Sequence, residues 1–387
     1  GAAVTLVDTT ATAIAGITST GALSATSGGA ITQSGAIDAD LTSSFSAGAN
    51  AITLTQAGND FTGAVSLSNS GGNAVALTDA NALDLGTVGV GQNLTITATG
   101  GALTDSGNVT VAGLATIVST GQAVTLGDST TANFGSLDFA GAAVTITEGS
   151  PMAIAASEAT GALALVANGA ITQTGAIDAD LTSTFTAGGN AITLTTATND
   201  FTGAVSLSNS GGNAVALTDA NALDLGTVGV GQNLTITATG GALTDSGNVT
   251  VAGLATIVST GQAVTLGDST TANFGSLDFA GAAVTITEGS PMAIAASEAT
   301  GALALVANGA ITQTGAIDAD LTSTFTAGGN AITLTTATND FTGAVSLSNT
   351  GGNAVQLTDA NALDLGIVGV GQNLTITATG GALTDSG

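Results

Sequence analysis

Aliphatic residues fall at alternate positions in short runs along the whole chain. They are Val124 and Leu126 in AVTLGD, Val144 and Ile146 in AVTITE, and Leu163 and Leu165 in ALALVA. The series continues with Ile192 and Leu194 in AITLTT, Val215 and Leu217 in AVALTD, and Leu234 and Ile236 in NLTITA. A period of two marks a strand with one buried face. Gly-Gly, Asn-Asp, Ser-Gly and Thr-Asp-Ala-Asn separate the runs, and all are turn chemistry. Successive runs are spaced by about 19–30 residues, and the cycle restarts at Val264 after about 140 residues. The same spacings group into two halves of about 70 residues, each with one wide and two narrow coils.

The cycle is also literal. GALTDSGNVT begins at Gly101 and again at Gly241, and GALTDSG begins at Gly381. Residues 101–161 match 241–301 and residues 162–209 match 302–349. Later changes are few: Ser210 becomes Thr350, Ala216 becomes Gln356 and Thr227 becomes Ile367. The chain therefore divides into the end of a partial repeat (1–21), copy 1 (22–161), copy 2 (162–301) and a partial copy 3 (302–387), read as one continuous solenoid. One coil cannot bury its apolar face alone, whereas stacked coils share a core. The fold expected is an all-β parallel β-helix of about 17 coils of 19–30 residues, stacked at about 4.8 Å per coil. The Phe residues at 45, 61, 134 and 139 and their equivalents are expected in the core.

Composition narrows the function classes. Lys, Arg, His, Cys, Trp and Tyr are absent, and the formal net charge is −27. With 44% hydrophobic residues and a mean hydropathy of +0.50, the Gly- and Thr-rich chain has material for an ordered core. Phosphate neutralisation needs Lys or Arg, so nucleic acid is not an expected partner. Anionic membrane surfaces repel the chain, and no run of roughly 18 apolar residues is present to insert. Disulfides are excluded, and trypsin-like proteases have no cleavage site, which suits exposure outside a cell. The start, Gly1-Ala2-Ala3-Val4, carries no basic region of a signal peptide.

Without His, Cys, Lys, Arg and Tyr, most nucleophile–base pairs and soft-ligand metal sites disappear. Carboxylates remain. Asp38 and Asp40 in AIDAD recur as Asp178/Asp180 and Asp318/Asp320, the best candidates for a glycosidase pair or for calcium. An active site needs asymmetric surroundings that separate two pKa values, whereas this pair recurs identically and is expected to be solvated turn carboxylates. Asn59, Asp60, Asp79, Asp84 and Asp105 are further oxygen donors for calcium, but no EF-hand or calcium β-roll motif is present. Thr95-Ile96-Thr97, Thr145-Ile146-Thr147 and Thr193-Leu194-Thr195 suggest an ice-binding rank. Leu163-Ala164-Leu165 and Val215-Ala216-Leu217 interrupt it. Asn93-Leu94-Thr95 and Asn108-Val109-Thr110 fit the glycosylation sequon.

GGAITQSGAID (28–38), GNDFTGAVSLSNSGGNAVALTDANAL (58–83) and GQNLTITATGGALTDSG (91–107) resemble the repetitive shafts of very large bacterial exoproteins of the filamentous-haemagglutinin type. The resemblance implies a right-handed β-helix, two-partner secretion and a role in adhesion or surface filaments. The function expected is a non-catalytic segment of an extracellular fibre or adhesin shaft, with no cofactor. Its expected partners are neighbouring repeats, further copies stacked end to end or side by side, and another cell or surface. The alternative is a binding module for calcium or carbohydrate, then an ice-binding solenoid or a glycosidase.

Overall fold

A computed structural model describes residues 3–387. Every regular element among them is a β-strand, and the strands stack in parallel as a β-solenoid of about 19 turns. Two units, Gly1–Gly188 and Gly189–Gly387, are each compact.

In the first unit each coil crosses a front column and a back column of strands. The front runs Leu23↔Ser43↔Val65↔Leu85 and resumes in the same strand as Leu83↔Leu103↔Val124↔Val144↔Leu163. The back runs Ile31↔Ile52↔Val75↔Leu94↔Ala115↔Leu137↔Ile154. Leu23 and Leu163, one full repeat apart, are separated by seven steps, so a coil takes about 20 residues, a common solenoid period. In the second unit Leu223 reaches Leu363 the same way through Leu243, Val264, Val284, Leu303, Ser323 and Val345.

The expected mixture of wide and narrow coils, about 17 in all, is corrected by this near-uniform stack. The long step from Leu23 to Ile52 is not one wide coil. It passes from the front of one coil to the back of the next, with strand Ser43–Ser46 between them. The long step from Leu94 to Val124 likewise changes faces. A 140-residue repeat thus spans seven coils, about 34 Å rather than the roughly 29 Å that six would give. Half of it is three and a half coils, so positions one half-repeat apart lie on opposite faces: Leu23 in front, Leu94 behind, Leu163 in front again.

Alternation decides what faces inward. In Val144–Glu148 the residues Val144, Ile146 and Glu148 are buried while Thr145 and Thr147 are partly open. In-register stacking converts each inward residue into a column of aliphatics and each outward one into a polar rank, here Thr104↔Thr125↔Thr145. Phe45, Phe61, Phe134 and Phe139 all lie inside, as expected. Phe45 and Phe61 meet edge to face at 6.0 Å, as Phe325 and Phe341 do at 5.8 Å. Corners need glycine where one coil meets the next: a Cβ on Gly35 would collide with the Ala15 carbonyl oxygen.

One core position departs from the pattern. The hydroxyls of Ser43, Ser183 and Ser323 are buried in the front column without a hydrogen-bond partner. Ala115 and Ala255 fill the place one half-repeat on. An unmade buried hydrogen bond costs about 1–3 kcal/mol. Ser323→Ala is therefore expected to stabilise the fold by about 1 kcal/mol, read as a higher urea midpoint at unchanged slope.

Candidate functional site

The recurring acids of AIDAD occupy the same place in each copy, on or just beyond a short strand. Asp38 is half-buried in strand Ile37–Ala39, with Asp40 exposed just beyond it. Asp178, Asp180, Asp318 and Asp320 are exposed at the equivalent places. Their neighbours are set by register rather than by sequence. Glu158 stacks on Asp178, and in the second unit Glu298, Asp318 and Asp340 form three successive rungs. Burial holds the Asp318 carboxyl above its ordinary range, with the charges of Asp340, Asp320 and Glu298 adding. Asp278, Glu298 and Asp318 line a shallow groove of about 370 Å³, and Asp138, Glu158 and Asp178 line one of about 330 Å³. Partial burial also raises Asp138 and Asp278.

The ladder is a row of like groups one rung apart. Acid–base work on a glycoside requires a protonated and an ionised carboxyl on either side of the bond. Here the acids project from one strand edge at rung spacing. Among the described residues no three acidic side chains converge closely enough to hold a metal ion.

Apart from Asp60, the other predicted oxygen donors are spent on joining coils. Asn59 is fully buried: its Oδ1 accepts from the Ile37 N–H (3.0 Å) and Gln33 Nε2 (2.8 Å), and its Nδ2 donates to the carbonyls of Leu54 and Thr78. Asp84 accepts from the Ser106 hydroxyl at 2.7 Å. Asp105 accepts from the Gly127 N–H at 2.9 Å and from the Thr130 hydroxyl. Asp60 faces outward beside Asp38, one rung away. The sequon residues Asn93 and Asn108 are exposed, yet their Oδ1 atoms accept from the N–H groups of Leu114 and Thr131 on the next coil. The outward Thr rank ends at Ala164 on the front, and Ala76 interrupts it behind. No Phe reaches the surface to stack on a sugar ring.

A second set of acids was missed in the sequence as a set. Strands on each face change from two short pieces to one five-residue strand. There the shorter path leaves a buried Phe N–H without a backbone acceptor. The last residue of the five-residue strand supplies one. Phe61 N–H donates to Asp79 Oδ1 (3.0 Å) on the back, and Phe134 N–H donates to Glu148 Oε1 (2.8 Å) on the front. In the second unit the pairs are Phe201–Asp219, Phe274–Glu288 and Phe341–Asp359, at 2.9, 2.9 and 3.0 Å. One such seam occurs per half-repeat. The signal was present: in Val75-Ala-Leu-Thr-Asp79 and Val144-Thr-Ile-Thr-Glu148 the inward phase runs straight on to the acid. Asp79 is thus a core residue holding a coil, not a surface ligand.

The half-repeat is matched by a family model described as repeats of unknown function (DUF5649). Its matches cover residues 1–68, 72–137, 141–208, 212–277, 281–348 and 352–387. Neither the curated proteins nor the solved structures gave a match.

Proposed function

We propose, from the premise that the chain belongs to the DUF5649 repeat family, that it is a non-catalytic structural segment of a long extracellular fibre or adhesin shaft. One observation carries the reading: the side chains with chemistry recur with the 140-residue period, and most of them join one coil to the next. A device made of equivalent coils supplies length, and adding copies extends it without contacts of a new kind. The likeness of GGAITQSGAID and GQNLTITATGGALTDSG to filamentous-haemagglutinin-type shafts supports a right-handed coil, export by the two-partner route and display at a cell surface. The partners are then further repeats, and another cell or surface at the end of the shaft. The net charge of −27 without a single cation keeps neighbouring shafts apart and soluble. Electron microscopy of the native material tests the reading. Thin filaments are expected, and compact particles of uniform short length would sink it.

The acidic ladder favours a second reading, a calcium-binding adhesin surface. Its discriminating experiment is thermal unfolding of the chain across a calcium titration. The structural reading expects only the gradual, non-saturating rise that screening of a polyanion gives with any divalent ion. A saturating rise specific to calcium, lost in Asp318→Asn, would establish the binding module instead.

A further inference from the structure

The buried acids of the front seams pose a problem that the solenoid must solve. Glu148 and Glu288 are each 1% exposed. One oxygen, Oε1, accepts from the Phe134 or Phe274 N–H and from the Ser150 (2.9 Å) or Ser290 (2.8 Å) hydroxyl. The other, Oε2, is buried with no partner at all. A buried carboxylate needs a cation or several donors, and the chain contains no Lys, Arg or His. The groups on the packed elements are all acids. Strand Ala132–Gly141 carries Asp138, the turn before it carries Asp128, and Asp105 reaches that turn from below. Strands Val124–Leu126 and Leu163–Ala167 carry no titratable side chain. Around Glu288 the same places hold Asp278, Asp268 and Asp245. Only a proton can neutralise these two glutamates.

We propose that Glu148 and Glu288 form a proton-dependent latch, closed as neutral acids in acidic medium and loosened by ionisation as the medium turns alkaline. The aspartate seams of the second unit are better satisfied. The second carboxyl oxygens of Asp219 and Asp359 accept from the N–H groups of Asn221 and Asn361 at 3.1 Å, which an Asx turn permits and the longer Glu does not make. On ionisation, Glu148 gains by turning to water, the Phe134 N–H loses its acceptor, and the turn between Leu126 and Ala132 is released.

Burial pushes the carboxyls of Glu148 and Glu288 up to about 7 from 4.5. The folded state binds the extra proton, so its stabilisation is complete below 4.5 and disappears as pH rises through about 7. Taken alone, the shift is a preference of about 300-fold for the protonated acid at each seam.

The test compares the full chain with its E148Q/E288Q double variant in urea, at pH about 5 and about 8.5. The wild-type midpoint is expected to fall between the two, and the variant's to fall much less. General repulsion among the other acids is common to both proteins and cancels. An equal fall in both would overturn the latch. Should the variant not fold, infrared spectra of the wild type decide. At a pH of about 6, where exposed acids are ionised, a protonated-carboxyl band larger than Asp79, itself pushed up to about 6, can give supports the proposal, and its absence defeats it.

Discussion

Phe325→Ala is expected to destabilise the second unit by about 3–5 kcal/mol. Phe325 is fully buried and meets Phe341 edge to face at 5.8 Å and 82°. Truncation removes the ring's transfer energy and leaves a cavity that the rungs above and below cannot close. Parallel pairing with Leu305 on one side and Leu347 on the other fixes the backbone. The loss also reaches the seam, because the Phe341 ring loses its edge-to-face partner beside the Phe341–Asp359 hydrogen bond. Denaturant unfolding followed by circular dichroism measures it. Cooperative unfolding at an unchanged midpoint would mean that the ring is not in the core. Phe325→Leu, which keeps most of the volume, is expected to recover more than half of the loss.

Gly127→Val carries the second large effect, at least about 3 kcal/mol. Gly127 has φ of 71°, a left-handed conformation that β-branched residues avoid. A Cβ there would also collide with the Thr147 carbonyl oxygen of the next coil. Both rungs would have to part at the Glu148 seam. Gly48 separates the two causes, since its φ is 57° but nothing lies within 4 Å of a Cβ. Gly48→Val is expected to cost only about 1–2 kcal/mol, the conformational part alone. Equal costs at the two sites would remove the claim that coils touch at Gly127.

Much of this fold is legible in the sequence. Alternation in AVTITE and ALALVA identifies strands, the literal repeat identifies the solenoid, and the half-repeat reappears in the spacing of the family matches. Coil length was not legible, for a physical reason. Strands Ile171–Gln173 and Ile177–Ala179 are too short to show alternation amid the Gly and Ala around them. Only the runs flanked by further aliphatic and Thr residues stand out, and these switch face every three and a half coils. Counting them as one column merges two faces and produces false wide coils.

The seams illustrate the same limit. Asp79 was visible as an acid, and its inward phase after Val75 and Leu77 was visible as well. Its role depends on the Phe61 N–H that a neighbouring coil leaves unpaired, which is a property of stacking. The acidic ladder is similar: Asp38 and Asp40 are neighbours in sequence, while Glu298, Asp318 and Asp340 are the true neighbours in space. The proposed function rests on this arrangement of coils. If one full repeat makes seven rungs, each copy adds a fixed length of stacked backbone, which is what a spacer needs.

The most direct test of that claim is one distance. Spin labels on S24C and A164C, outward positions on the front column one full repeat apart in the first unit, should show a narrow distribution centred at about 34 Å, seven rungs of the hydrogen-bonded stack. A distribution centred at about 29 Å, the length of six rungs, or one too broad to assign to a single column, would contradict it.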